Sequence, residues 1–157
     1  MRFWPTLLIT AVLFSACSKE SAFTHFTKLD SRHERAVANL KRVTLTDEAN
    51  RTAALISILH LNPVDPQLYG QRPSFFIALF DRGGRTLEDY NVTLNGKTPV
   101  GLAQLDENCS LRELMPLNNP WNRYYQLLFR PTKEANLTLF FGTGPFLKGE
   151  VTFHTDQ

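Results

Sequence analysis

The stretch NVTLNGK, from Asn91 to Lys97, decides the fold class of this chain. Val92 and Leu94 alternate with polar residues, which is the period of a strand with one buried face. Asn95-Gly96 then supplies the two positive φ angles that a two-residue hairpin turn requires. The sequence therefore predicts a tight hairpin near residues 90–105, with its second strand between Lys97 and Leu105.

Short apolar or alternating runs lie on both sides of this hairpin and end at turn residues rich in Pro, Gly and Asn. The predicted strands are Val43–Thr46, Thr52–Leu61, Ser74–Phe80, Asn91–Leu94, Arg123–Arg130, Asn136–Phe141 and Glu150–His154. Their number and spacing favour a mainly β chain folded as an antiparallel β-sandwich of immunoglobulin-like type. A small β-barrel is the alternative.

One helix is predicted before the strands, over residues 31–41. Ser31 and Glu34 have the spacing of a capping box, and Ala36, Val37 and Leu40 recur at helical spacing. A single helical turn is predicted over Ser110–Leu114. No long helix is expected after residue 62.

The amino terminus has the pattern of an export signal. Arg2 precedes the apolar run Thr6–Phe14, which is followed by the small residues Ser15-Ala16. A helix needs about twenty apolar residues to cross a bilayer, so this run predicts a cleaved segment rather than a permanent span.

Residues 13–17, Leu-Phe-Ser-Ala-Cys, resemble the lipobox of bacterial lipoproteins, although Phe14 stands where Leu is usual. The resemblance implies a diacylglycerol on Cys17, cleavage before it and acylation of the new amino terminus. Two or more acyl chains anchor a protein stably to a membrane. In this family Ser18 implies an outer-membrane location, which we expect to be the periplasmic face. From Val43 onward, Asn95-Gly96-Lys97 and Asn119-Pro120-Trp121 resemble features of uncharacterised small bacterial lipoproteins.

The expected organisation is a signal peptide over 1–16, a lipidated tether over 17–28 and one β-sandwich domain over 29–157. The alternative is an ordinary secretory signal, in which Cys17 is simply the first mature residue. Exported proteins often form disulfides, so a Cys17–Cys109 bridge belongs to that alternative. With lipid on Cys17, Cys109 stands alone and is expected to be buried and inert.

Composition indicates an ordinary globular domain. The 157 residues are 43% hydrophobic and 20% charged, with a formal net charge of +2 that falls by one when Arg2 is removed. Such a balance gives no reason to expect nucleic acid as a partner.

The candidate binding surface is the loop before the predicted strand Arg123–Arg130. Trp121, Tyr124 and Tyr125 lie near Asn119 and Arg123, and aromatic rings beside amide groups suit a sugar or a protein partner. Adjacent strand residues face opposite sides, so one tyrosine should be buried and the other exposed. We expect Trp121 to plug the corner of the sandwich, with a binding surface as the alternative.

Catalytic, metal and cofactor motifs are not recognisable. His25, His33, His60 and His154 are widely spaced, and no Gly-x-Ser-x-Gly or Ser-x-x-Lys motif occurs. Gly142-Thr143-Gly144 is more typical of a hairpin turn than of a phosphate loop.

The sequence thus predicts a lipid-anchored, non-enzymatic binding or assembly module with an envelope protein or glycan as partner. A second hypothesis is an envelope glycan or peptidoglycan hydrolase. It would use paired carboxylates such as those in Glu88-Asp89 and Asp106-Glu107. A third is a surface adhesin or inhibitor.

Overall fold

The computed structural model describes residues 31–115 and 118–155, so the predicted signal peptide, tether and Cys17 lie outside the described residues. Ser31–Gln157 forms one compact unit. No helix within the described ranges has the length and apolarity needed to cross a membrane.

The described residues form eight strands in two antiparallel sheets. The strands are β1 Leu40–Thr46, β2 Thr52–His60, β3 Ser74–Asp81, β4 Asn91–Leu94, β5 Gly101–Gln104, β6 Arg123–Leu128, β7 Asn136–Thr143 and β8 Leu147–His154. One sheet has the order β1-β2-β3-β6-β5, and the other has the order β4-β7-β8. All seven predicted strands are confirmed, with small differences at their ends.

The topology is immunoglobulin-like. With β1 set aside, the orders β2-β3-β6-β5 and β4-β7-β8 match the A-B-E-D and C-F-G sheets of a constant-type domain. β1 is an additional edge strand on the larger sheet. Both sheets keep their edges in the part of the chain that the structure describes, so the small barrel is not formed.

The short helices precede the sheets or connect their strands. They are α1 Ser31–Ala38, α2 Leu61–Val64 and α3 Pro66–Tyr69, with 3-10 turns at Leu87–Asp89 and Ser110–Leu114. The helix predicted over 31–41 therefore exists but ends at Ala38. Asn39 terminates it, because its side-chain amide donates to the carbonyl of Arg35 at 2.9 Å and β1 begins at the next residue.

The predicted hairpin turn is present, but its second strand is not the partner of β4. Asn95 and Gly96 have φ angles of 49° and 78°, as the turn demands. Beyond Lys97, which bridges Leu94, the chain crosses to the other sheet, where β5 pairs with β6. Pro99 lacks a backbone N–H and cannot extend a ladder.

The partner of β4 is β7, and Asn95 extends that pairing. Its backbone N–H donates to the carbonyl of Thr138 at 2.9 Å, and its side-chain oxygen accepts from Thr138 N–H at 2.7 Å. The turn residue thus joins the smaller sheet with both its backbone and its side chain.

The larger sheet is covered on both faces. Its inner face packs on the smaller sheet around residues such as Ile56, Ile77 and Phe141. Its outer face carries a second apolar cluster, in which Phe76 and Tyr124 contact residues of α1, α2 and the 3-10 turn Ser110–Leu114. Each face of this sheet is therefore covered over part of its length, and residues outside the two clusters, such as Leu55 and Phe80, stay exposed.

The β1 and β8 edges approach each other closely without a backbone ladder. A Cβ on Gly149 would lie 2.6 Å from Val43 Cγ1 and 2.7 Å from Leu45 Cδ2, so glycine is what permits the approach. Lys41 spans the same gap, because its ammonium donates to the carbonyl of Thr152 at 2.6 Å and lies 5.2 Å from the Phe153 ring centroid.

Candidate functional site

Trp121 lies on the surface, immediately before β6. Its side chain is 76% exposed, and it belongs to neither apolar cluster among the described residues. The prediction that it plugs the corner of the sandwich is therefore wrong. The alternative, a ring presented on a surface, describes its position.

The loop that carries Trp121 is fixed by its own side chains. The side-chain oxygen of Asn119 accepts hydrogen bonds from the backbone N–H of Trp121 at 3.1 Å and of Asn122 at 3.0 Å. An Asx turn of this kind stabilises a tight bend. The Tyr124 hydroxyl in turn accepts from Asn119 N–H at 3.0 Å, which anchors the bend to a buried strand residue.

Arg112 supports the same loop from the 3-10 turn Ser110–Leu114. Its guanidinium carbon lies 4.3 Å from the centroid of the Tyr124 ring, and Nη2 donates to the Asn118 side chain at 2.9 Å. Together these contacts hold the backbone beneath an exposed indole, which is the arrangement of a preorganised contact residue.

Trp121 stands beside two other exposed apolar side chains on the outer face of the larger sheet. Leu55 and Phe80 are cross-strand neighbours on β2 and β3, and they are 44% and 37% exposed. A groove of about 330 Å³ runs between them and Trp121, bordered by Arg42 and Thr44 on β1. We call these five residues the Trp121 surface.

Tyr124 and Tyr125 are both buried, which contradicts the prediction that one of them is exposed. They do point to opposite faces: Tyr124 joins the outer apolar cluster and Tyr125 the inner one. The expectation is wrong because α1, α2 and the 3-10 turn cover the outer face at Tyr124. Neither ring belongs to the Trp121 surface, and Tyr124 acts on it only by positioning Asn119.

Arg123 also has a structural position. Its guanidinium donates to the carbonyls of Gly84 at 2.7 Å and Arg85 at 2.8 Å, which holds the loop between β3 and β4. Of the residues predicted as a binding surface, the structure therefore exposes Trp121, uses Asn119 and Tyr124 as support, and places Tyr125 and Arg123 elsewhere.

Asp81 organises that β3–β4 loop, a role that the sequence analysis missed. Its side chain is 1% exposed. It accepts hydrogen bonds from the Tyr90 hydroxyl, from Arg85 N–H at 3.0 Å and from Arg85 Nε at 3.0 Å. Burial alone would raise the pKa of Asp81, but these three donors outweigh it and hold the pKa below 3.8.

The paired carboxylates proposed for a hydrolase do not meet in a cleft. Asp89 caps its own 3-10 turn by accepting from Thr86 N–H at 2.7 Å, and Glu88, Asp106 and Glu107 are exposed. A general acid needs a raised pKa. The pKa of the Asp81 carboxyl is lowered instead, so Asp81 does not meet this requirement.

The three described histidines do not come together in a metal site. His33, His60 and His154 lie on α1, β2 and β8, and the described residues contain no group of three His, Cys, Asp or Glu side chains that would hold a metal ion. His25 is outside the described part. His154 is exposed and hydrogen-bonds Asn136 at 2.8 Å, whereas His60 faces the core.

His60 is the second unusual feature, at the opposite end of the sandwich. It is 2% exposed and stacks on Phe75 with a centroid distance of 5.0 Å. Neither ring nitrogen has a hydrogen-bond partner among the described residues. Burial lowers the pKa of His60 to about 4, and the nearby Asn62 side chain only partly opposes that shift.

Cys109 is half-buried at the residue before the 3-10 turn Ser110–Leu114, so the expectation that it is buried is wrong.

Comparison of this chain with family models, with curated proteins and with solved structures finds no match.

Proposed function

We propose that this chain is an exported, lipid-anchored module that binds a partner protein through the Trp121 surface. The observation that carries the proposal is the adjacency of Trp121, in the loop before β6, to Leu55 and Phe80 on the outer face of the larger sheet, all three being exposed. Single exposed apolar residues are ordinary, but a contiguous group bordered by polar residues is typical of an interaction site.

Two further properties of this surface favour a protein over a glycan. Its floor is formed by Leu55 and Phe80, which offer an apolar contact rather than hydrogen bonds for sugar hydroxyls. Trp is also among the residues that dominate binding free energy at protein interfaces.

Arg42 narrows the chemistry of the partner. It is exposed at the border of the groove and forms no ion pair within residues 31–115 and 118–155. A partner segment with apolar side chains for the groove and a carboxylate for Arg42 would complement the surface.

The anchor rests on the lipobox residues Ser15, Ala16 and Cys17. Substituting Cys17→Ala should abolish incorporation of labelled fatty acid and release the chain from the membrane fraction. If the variant stays in that fraction as the parent chain does, the anchor proposal is wrong. The Trp121 surface would be unaffected, because it belongs to the folded domain.

Binding is tested by site-specific photocrosslinking in intact cells. A photoreactive residue at Thr44, on the border of the groove, should give a discrete adduct that a protease degrades. Trp121→Ala should remove that adduct. Phe146→Ala is the matched control, because Phe146 is an exposed aromatic residue on the β7–β8 turn, outside the Trp121 surface.

Two outcomes would overturn the protein-partner proposal. One is an adduct that persists in Trp121→Ala but is lost in Phe146→Ala. The other is an adduct that resists protease and is removed by a glycosidase, which would assign the surface to a glycan instead.

A further inference from the structure

A pocket of about 530 Å³ opens at the end of the sandwich opposite Trp121. It lies where β2 ends and β3 and β7 begin, and it is bordered by the loop residues 70–73 and 132–134. β6 separates this end from Trp121, since Trp121 precedes that strand and the pocket lies beyond its last residue. The volume falls within the range of about 300–1,000 Å³ that is typical of small-molecule sites.

His60 forms part of the pocket wall and is the first indication of a ligand. Its imidazole lies between Phe75 and Phe153, with centroid distances of 5.0 and 5.5 Å, and both ring nitrogens lack a partner among the described residues. Buried polar atoms are nearly always hydrogen-bonded, so two unpaired nitrogens on one ring call for a physical reason.

The neighbouring Asn62 side chain opposes the lowering of the His60 pKa, but it makes no hydrogen bond of ordinary length to either ring nitrogen. Its amide nitrogen donates to the carbonyls of Tyr69 and Arg72, and its oxygen accepts from Ser74 N–H at 2.9 Å. Both amide hydrogens of Asn62 and one lone pair of its oxygen thus fix the loop that forms one border of the pocket. Neither His60 ring nitrogen has a hydrogen bond of ordinary length to a described residue.

The charge around the pocket is the second indication. Arg72 and Lys133 are exposed at its border and form no ion pair in the part of the chain that the structure describes. Glu134, which also lines the pocket, accepts a hydrogen bond from Asn95 and pairs with Lys97 at 3.4 Å. Neither Arg72 nor Lys133 is paired with that carboxylate, and Lys97 already offsets the charge of Glu134, so the balance of charge at the pocket favours an anionic ligand.

We propose that this pocket, which we call the His60 pocket, binds a small anionic sugar. Its carboxylate or phosphate lies between Arg72 and Lys133, and one of its hydroxyls bonds His60 after a small rotation of the buried ring. A hydroxyl both donates and accepts, which matches a neutral imidazole. Pro73 and Leu137, also in the wall, offer apolar contact to the carbon face of a sugar ring.

The test is an NMR titration of the full chain with four probes. Glucuronate and glucose 6-phosphate carry the two possible anionic groups, whereas glucose and inorganic phosphate each lack one half of the proposed ligand. We expect at least one anionic sugar to shift the His60 ring resonances saturably at millimolar concentration. Glucose and phosphate should bind about tenfold more weakly or not at all, which corresponds to about 1.4 kcal/mol.

Variants locate the binding. Lys133→Gln should weaken it about tenfold, and His60→Phe should remove it, while Lys148→Gln changes an exposed cation near the far end of β8 and should leave it unchanged. If His60→Phe does not fold, His60→Gln takes its place, and Lys133→Gln reports independently because it is a surface change.

Three results would overturn the proposal: no saturable shift with either anionic sugar, equal binding of inorganic phosphate as an adventitious ion only, or binding that is unchanged in both Lys133→Gln and the folded His60 variant. None of these results bears on the Trp121 surface, so failure here is distinguishable from failure of the proposed function.

Discussion

The hydroxyl of Tyr124 accepts a hydrogen bond at 3.0 Å from the backbone N–H of Asn119, and Asn119 in turn bonds the N–H of Trp121 at 3.1 Å. Buried Tyr124 thereby fixes the backbone of exposed Trp121 through Asn119. Preorganisation of this kind lowers the entropy that a contact residue loses on binding.

Tyr124→Phe should loosen this loop without opening a cavity. The ring remains packed beside Arg112, so we expect a loss of only about 0.5–1.5 kcal/mol in the free energy of unfolding. Hydrogen exchange at the amides of Asn119 and Asn122 should accelerate. Tyr125→Phe is the control, because its hydroxyl accepts from Leu87 N–H at 3.3 Å within the inner apolar cluster and is not among the described groups that bond Asn119 or Trp121. Unchanged exchange in Tyr124→Phe would contradict the anchoring role.

Trp121→Ala and Tyr125→Ala should affect stability very differently. Trp121 is exposed, so its truncation should change the free energy of unfolding by no more than about 0.5 kcal/mol. Tyr125 is fully buried, and its truncation should cost about 3–5 kcal/mol. Urea unfolding of both variants measures the contrast. A Trp121→Ala loss approaching that of Tyr125→Ala would show that the indole packs on the domain after all.

The strands were predictable because burial imposes a period of two that any half-buried strand must show. β4 and β7 illustrate this, since Val92, Leu94, Leu137 and Leu139 are buried and alternate with more exposed neighbours. What could not be read was the strand pairing. The partner of β4 depends on the side chain of Asn95 bonding Thr138, a contact across 43 residues.

The candidate site was only partly predictable for a similar reason. The sequence indicated Trp121 and Asn119, but it could not show that helices cover the outer face at Tyr124 while leaving Leu55 and Phe80 exposed. The importance of His60 was equally hidden. A single histidine ending a strand gives no sign that its ring will lack partners, because that depends on where Asn62 directs its amide.

Asp81→Asn should destabilise the β3–β4 loop. It removes a buried charge that accepts from Tyr90 and Arg85, and hydrogen bonds to charged groups contribute about 1.5–3 kcal/mol each. Because the pKa of Asp81 is lowered on folding, this contribution is present above pH 3.8 and is lost as the pH falls through the folded-state pKa. Asp47→Asn, at the solvent-exposed pair with Arg51, should cost much less, because water screens that pair. Equal losses in the free energy of unfolding for Asp81→Asn and Asp47→Asn, measured by urea unfolding, would count against a stabilising role of the Asp81 hydrogen bonds.

Gly149→Ala should strain the contact between the two sheet edges. The new methyl would meet Val43 and Leu45 at under 3 Å, and overpacking of this kind costs about 1–3 kcal/mol. Because the obstructing atoms are side-chain ends, Val43→Ala in the same chain should recover part of the loss. Thermal unfolding of the single and double variants measures this coupling. Strictly additive effects would mean that β8 shifts away from β1 instead.

The stability of the domain should fall between about pH 6.5 and pH 4 because of His60. In the unfolded chain the imidazole binds a proton near pH 6.5, whereas in the folded chain burial delays protonation to about pH 4. The unfolded state therefore binds the proton first as the pH falls, so the contribution is fully present above pH 6.5 and is lost through this interval. A pKa shift of this size corresponds to about 3 kcal/mol in the free energy of unfolding.

His60→Phe should remove that part of the pH dependence. It should be at least as stable as the parent at neutral pH, since it replaces two unpaired nitrogens with apolar surface. His154→Gln, which alters an exposed histidine, should retain the parent profile. Urea unfolding at several pH values distinguishes these cases, and an identical acid profile in the parent and His60→Phe would show that the buried ring already has a partner.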